Sequence, residues 1–151
     1  MAASALVIRD PKPEDEAAWR RLWASYVTFY KADVSEAVTA ATWQRLFMPG
    51  SCMIGRLAEY DGAVSGFTVS VVHPRSWAIA PHCYLEDLLV DPELRGHGLG
   101  RALIEDLCAL ARARGWSGIY WHTQEGNATA RLLYDRIAKA DDFVRYRILI
   151  D

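Results

Sequence analysis

Glu86 and Asp87 interrupt an otherwise apolar run, Tyr84-Leu-Glu-Asp-Leu-Leu-Val90. A carboxylate among buried neighbours is costly unless it has a partner or a task. Burial raises a carboxyl pKa toward the range where it accepts a proton at neutral pH, and its charge attracts cations. Adjacent residues of a regular strand point to opposite faces, so only a bulge would turn both acids toward one site; Glu86 is the better candidate base and Asp87 a substrate contact. Just beyond, Arg95, Gly96, His97, Gly98, Leu99, Gly100 and Arg101 place three glycines between a strand and a helix. Without Cβ atoms the chain turns sharply and brings backbone N–H groups close to a ligand, and the helix start adds roughly half a positive charge. The result is an anion seat to which Arg95 and Arg101 add mobile charge, suited to a pyrophosphate.

What the turn lacks narrows the guest. Gly100 is followed by Arg101 and Ala102, so the lysine and hydroxyl of an ATP-binding P-loop are missing. Counting from Gly96 and Gly98, the third glycine of a dinucleotide fingerprint is replaced by Arg101. A nucleotide phosphotransferase is therefore the weaker reading. His73, His82, His97 and His122 form no compact ligand pair, and Cys52, Cys83 and Cys108 no C-x-x-C, so neither a metal site nor a disulfide framework is expected. The cysteines read as structural thiols in a reducing cytoplasm.

These residues must be held by a string of short elements. The patterns predict a strand over Ala5 to Arg9, a helix from near Pro13 with Trp19, Leu22, Trp23, Tyr26 and Tyr30 on one face, and a short helix over Thr39 to Phe47. Extended runs follow over Met53 to Tyr60 and Ala63 to His73, joined by the hairpin signal Asp61-Gly62. Next come a strand over Cys83 to Val90, a helix over Gly98 to Arg114 with Leu99, Leu103, Leu107 and Leu110 aligned, and a strand over Gly118 to Gln124. A helix over Asn127 to Lys139 and a final strand over Asp142 to Ile150 complete the order. Crossovers through the later helices imply locally parallel pairing, hence an α/β fold with a mixed sheet.

With 151 residues and 17.0 kDa, a single domain spanning 1–151 is expected. Hydrophobic residues at 52% over 24% charged residues describe a globular core under a mixed surface. Net charge −2 and pI ≈ 6.1 leave no broad positive field for nucleic acid. The charge-free run Gly62 to Val72 is too short to span a bilayer, and Met1 to Ile8 lacks the basic flank of an export signal.

Arg95-x-x-Gly98-x-Gly100 after an apolar strand resembles the acyl-CoA loop of the GNAT superfamily of N-acetyltransferases. Tyr84-Leu-Glu-Asp-Leu-Leu-Val90, Asn127 and Leu133-Tyr134 are similar to its polyamine and histone acetyltransferase branches. The resemblance covers nearly the whole chain. It implies a mixed, mostly antiparallel sheet flanked by helices, with locally parallel central strands. It further implies that the backbone of Leu88, Leu89 and Val90 pairs with the pantetheine of acetyl-CoA, that Arg95 to Arg101 cradle its pyrophosphate, that Asn127 meets pantetheine or nearby CoA atoms, and that Tyr134 lies near the thioester sulfur. The region from Trp23 to Tyr30 would cover the acceptor, and a homodimer would form through the last strand or helices. The segment Ala138 to Phe143 departs from the many relatives that carry a glycine after the last helix.

Amine acylation gives these residues work. A primary amine with pKa near 10.4 is only about one part in a few thousand neutral at pH 7, and only the neutral form attacks a thioester. Glu86 is thus expected as base and Tyr134 as proton donor to the thiolate, with Tyr30, Glu86 and Asp87 contacting a small cationic amine. No activated nucleophile is evident, so direct transfer in a ternary complex is expected. A non-catalytic acyl-CoA sensor that binds a partner protein is the alternative of another class.

Overall fold

The computed structural model describes residues 5–150. The part of the export-signal reading that concerns residues 1–4 lies outside them. Intrachain contacts divide the molecule into two compact units, Met1–Trp121 and His122–Asp151.

In the first unit β1 (Leu6–Arg9) leads through a 3-10 turn (Pro13–Asp15) into α1 (Glu16–Phe29) and α2 (Glu36–Arg45). β2 (Met53–Tyr60), β3 (Ala63–Arg75) and β4 (Ala78–Val90) follow, then a 3-10 turn (Pro92–Leu94), α3 (Leu99–Arg114) and β5 (Gly118–Tyr120). The sheet has the order β1-β2-β3-β4-β5, antiparallel except for the parallel pair β4–β5 made by the crossover through α3. This is the mixed, mostly antiparallel α/β sheet that the sequence suggested.

Local chemistry explains the boundaries. Asp61 and Gly62 both adopt positive φ (50° and 84°), as a two-residue hairpin turn between β2 and β3 requires. α2 starts earlier than its apolar pattern indicates because the Ser35 hydroxyl accepts from Val38 N–H at 3.2 Å and caps it. β3 runs two residues past His73, and β4 begins at Ala78 rather than Cys83, because cross-strand pairing continues to Arg75↔Ala78 through a stretch with weak alternation. The strand expected over Gly118 to Gln124 is only three residues long.

The sheet is covered on both faces. On one, Trp19, Leu22 and Trp23 of α1 and Trp43 of α2 pack against Leu57, Phe67, Val69 and Leu89; Trp19 and Trp23 stack at 5.1 Å, and Trp23 Nε1 donates to Thr39 Oγ1 at 3.1 Å. On the other, Leu99 and Leu103 of α3 pack with Ala58, Leu88 and Val90. Leu99 and Leu103 of the aligned α3 leucines thus join one core, and the stripe on α1 builds the other through Trp19, Leu22 and Trp23, with Tyr26 packed against it.

The second unit carries α4 (Ala128–Ile137). The final strand expected over Asp142 to Ile150 is absent: that segment has no regular structure, and Phe143, Val144, Tyr146, Ile148, Leu149 and Ile150 are all exposed. Its alternation satisfies the local rule for a strand, but a strand also needs a neighbour, and none pairs with it among the described residues.

Asp15 is buried and ties the start of α1 to β1. Its carboxylate accepts from Arg9 at 2.8 and 2.9 Å and from Lys12 N–H at 2.7 Å, and the Arg9 contact holds its pKa below the usual carboxylate value. A depressed carboxyl stabilises the fold above its unfolded pKa and loses that contribution as pH falls through its folded pKa. Asp15→Asn should cost about 1.5–3 kcal/mol at pH 7. Scanning calorimetry should show a fall in Tm of about 3–10 °C at pH 7 and a smaller one at pH 3.

Candidate active site

The glycine turn follows β4 directly. Asp91 accepts from Glu93 N–H at 3.0 Å and fixes the 3-10 turn. Gly96 (φ 84°) and Gly98 (φ 82°) then reverse the chain in the left-handed region, and Gly98 is the N-cap of the 16-residue α3 with no side chain capping it. The first N–H groups of a long helix are therefore left for an anionic guest. The neighbouring side chains are tethered. Arg95 places its Cζ 5.9 Å over the Phe29 ring of α1, and Arg101 Nε donates to Glu105 at 2.8 Å in an exposed pair of small energetic worth. His97 folds back, with Nδ1 3.1 Å from the Leu94 carbonyl and its ring 5.6 Å from Tyr60. Gly100 lies within the first turn of α3.

The acids sit at a fault in β4. The ladder with β3 pairs Val69 with Asp87 and Ser70 with Leu85, leaving Glu86 as an extra residue. The bulge aligns Tyr84, Asp87 and Leu89 with Val71, Val69 and Phe67, on the face covered by α1. The bulge interrupts strict alternation across Glu86 and Asp87, and the charge of Glu86 acts on both Asp87 and Tyr26.

They differ in depth. Glu86 is exposed, whereas Asp87 is part-buried beside Tyr26 of α1, which favours its carboxylate form. Desolvation pushes Asp87 up to about 6; the Tyr26 hydrogen bond opposes the shift, and the nearby charge of Glu86 adds to it. Desolvation, followed by the charge of Asp87, also raises Tyr26 well above the usual phenol value. Tyr30 meets Tyr26 edge-on at 4.9 Å. Farther along, Tyr84 stacks on Tyr120 of β5 at 5.0 Å, and Tyr120 hydroxyl lies 2.6 Å from His73 Nε2.

β4 and β5 pair only from His82↔Gly118 to Tyr84↔Tyr120. Beyond that point the edge of β4 away from β3, from Leu85 through Leu88, Leu89 and Val90, meets no other strand among the described residues. A run of open backbone donors and acceptors thus leads from the acids to the glycine turn. In the second unit Asn127 caps α4, its side chain accepting from Ala130 N–H at 3.4 Å and donating to Thr123 at 3.3 Å. Tyr134 lies two turns into that helix.

Sequence reading missed the partners. The spacing places Tyr26 in the core stripe, where it does pack, but gives no sign that it lies beside Asp87 or that Phe29 lies under Arg95.

Residues 16–138 match the model of the acetyltransferase (GNAT) family. A D-amino-acid N-acetyltransferase of Saccharomyces cerevisiae is 34% identical over 149 residues, covering 97% of this chain and 92% of that protein. The chain belongs to the GNAT family. It is an acetyl-CoA-dependent N-acetyltransferase, and acetyl-CoA is its co-substrate. The fold is shared with a ribosomal-protein-alanine N-acetyltransferase of Brucella melitensis (TM-score 0.78, 23% identity, covering 98% of this chain and all of that one). It is also shared with an aminoglycoside N-acetyltransferase in complex with CoA (TM-score 0.82, 18% identity, 97% of each chain).

Nothing lies within 4 Å of the position a Cβ would take at Gly98, so backbone conformation alone demands glycine there. Gly98→Ala should cost about 1–2 kcal/mol in the left-handed region and raise the CoA Kd roughly 5- to 30-fold by calorimetry. Gly98→Asn, which tolerates that region, should lose less.

Proposed function

We propose that this enzyme transfers acetyl from acetyl-CoA to a primary amine, a small cationic one by preference, by direct attack in a ternary complex. The observation that carries this reading is the bulge at Glu86, which sets an exposed and a part-buried carboxylate side by side in β4 while the same strand runs on to the glycine turn before α3. The pyrophosphate of acetyl-CoA sits on the turn from Arg95 to Arg101, with backbone N–H groups from Gly96, His97, Gly98, Leu99 and Gly100 supplying donors and the two arginines supplying charge. The open edge at Leu88, Leu89 and Val90 receives the pantetheine, and Asn127 contacts it. Both units together make one acetyltransferase domain.

The acceptor enters as an ammonium drawn by Glu86 and Asp87 beside Tyr30, and Glu86 acts as the base. The freed nitrogen attacks the thioester carbon, the C–S bond breaks, and Tyr134 delivers a proton to the departing thiolate. Phenol to thiolate transfer is uphill by about 1.5 units between free groups, about 2 kcal/mol, which a tuned site can offset. The yeast relative's activity on D-amino acids supports an amine acceptor of small size.

The chain is assigned to the cytoplasm, where Cys52, Cys83 and Cys108 persist as the free thiols they are here. Among the described residues no helix is long and apolar enough to cross a membrane. A homodimer through the C-terminal segment is supported by the apolar side chains exposed there, a type of surface that marks association.

Incubation with acetyl-CoA and D-alanine, L-lysine, spermidine or kanamycin, with mass detection, should give an N-acetylated product and converging double-reciprocal plots. Parallel plots with an acetylated cysteine would overturn direct transfer. Tyr134→Phe should lower kcat at least tenfold; a loss of thermal stability alone would remove its role as donor. Light scattering should find a dimer that Ile148→Asp with Ile150→Asp dissociates; an unchanged mass would place the interface elsewhere.

A further inference from the structure

The end of the sheet away from the glycine turn holds a cation without a counter-charge. Three half-buried arginines of the first unit each bond two carboxylates: Arg9 bonds Asp15 and Glu59, Arg20 bonds Glu16 and Glu36, and Arg56 bonds Asp10 and Asp106. Arg75, at the end of β3, is also half-buried but meets no carboxylate among the described residues. Taking a charge partly out of water without pairing it is costly. We propose that Arg75 binds a carboxylate of the acceptor, and that the acceptor is an amino carboxylate as long as a short peptide, its ammonium end lying at Glu86 and Asp87. This rests on the amine-acetyltransferase reading and narrows its acceptor class.

The neighbours of Arg75 position it without neutralising it. Its Nη1 lies 2.6 Å from His82 Nδ1. A guanidinium only donates, so that nitrogen accepts and the ring is neutral. Ser117 Oγ lies 3.1 Å from the same nitrogen, and a Cβ at Gly118 would come within 3.0 Å of His82 Nε2, so glycine there makes room for the ring. His73 pairs with His82 across the ladder. Its Nδ1 lies 2.8 Å from the Pro74 carbonyl, which can only accept, so its Nε2 accepts from the Tyr120 hydroxyl at 2.6 Å. Both imidazoles are thus satisfied uncharged, and the positive charge stays on Arg75. Neither Val71 to Tyr84 nor Gly115 to Tyr120 contains an Asp or Glu. Arg75 Nε and Nη2, which form one edge of the guanidinium fork, make no hydrogen bond among the described residues. That edge matches a planar carboxylate, and its single charge suits a singly charged guest.

A ring-lined path joins this corner to the acids. The His82 ring lies 6.3 Å from His73 and 5.5 Å from Tyr120, and Tyr120 stacks on Tyr84 at 5.0 Å. Tyr84 and Asp87 share the face aligned with Val71 and Val69. From His82 to Asp87 the strand advances five residues, one of them the bulge, which is about 13 Å at roughly 3.3 Å per residue. With a hydrogen bond of about 2.8 Å at each end, roughly 7–10 Å remains for the ligand. That is the reach of an extended di- or tripeptide; a single α-amino acid is too short to hold both ends.

The test measures KM and kcat for diglycine, triglycine and their C-terminal amides at saturating acetyl-CoA, in wild type, Arg75→Met and Arg75→Lys. In wild type the triglycine acid should show a KM about tenfold or more below that of its amide. Arg75→Met should bring the amide-to-acid ratio of KM close to one by raising KM for the acid, with kcat changed less than twofold. Arg75→Lys, which keeps the charge and loses the fork, should give an intermediate ratio. A purely structural Arg75 would lower Tm and leave the ratio in place.

Should Arg75→Met fail to fold, the wild-type ratio and Arg75→Lys decide. Equal KM for acid and amide in wild type, a ratio that survives Arg75→Met, or turnover of spermidine or kanamycin with none of either peptide overturns the assignment and leaves amine acetylation intact. A wild type that acetylates neither the peptides nor any amine of the panel overturns the parent reading, and the assignment with it.

Discussion

A strand cannot turn two neighbouring side chains to one face and keep its ladder intact, and the extra residue in β4 is where this chain gives up the ladder. The pairing breaks between Val69/Asp87 and Ser70/Leu85, and the functional arrangement follows from that local fault. Asp87 comes under α1, where Tyr26 meets it, and Glu86 stands beside it in water. Farther along the strand, the parallel pairing with β5 stops at Tyr84, which opens the edge a pantetheine can use. The protein exchanges regular hydrogen bonding in its central strand for a polar site, while the aromatic layer around Trp19 and the leucine layer of α3 keep both sheet faces closed.

The second constraint is close approach. A Cβ at Gly66 would lie 2.9 Å from the Leu89 carbonyl, so β3 and β4 are drawn together where β4 ends and Leu103 packs nearby. That anchors the strand end just before the chain reverses through Gly96 and Gly98 into α3. The glycine turn therefore has a fixed position relative to the acids, because a single strand packed by α1 on one face and by α3 on the other connects them.

The turn from Arg95 to Arg101 was legible because its requirements are local: positive φ at two glycines, a helix start, and a preceding apolar strand. The hairpin at Asp61-Gly62 and the leucine face of α3 were legible for the same reason. The carboxylate pair was legible as an anomaly of composition, but its geometry was not, since alternation assumes an unbroken ladder. Tyr26 shows the limit most clearly. Its spacing from Trp19, Leu22 and Trp23 assigns it to the core stripe, and nothing in that spacing says that Asp87 waits opposite. The absent strand over Asp142 to Ile150 is the converse case, where a correct local pattern found no partner.

Residue types and spacings alone determined the order of elements through α4, the mixed sheet, the glycine turn between β4 and α3 and the presence of two acids in an apolar strand, because each depends on dihedral preference, periodicity or burial cost within a short window. Tertiary structure decided which acid is enclosed, which phenol lies beside it and where β4 is left unpaired. Those facts depend on the register between strands and on side chains distant in sequence that meet only when the sheet is assembled, and no local pattern encodes them.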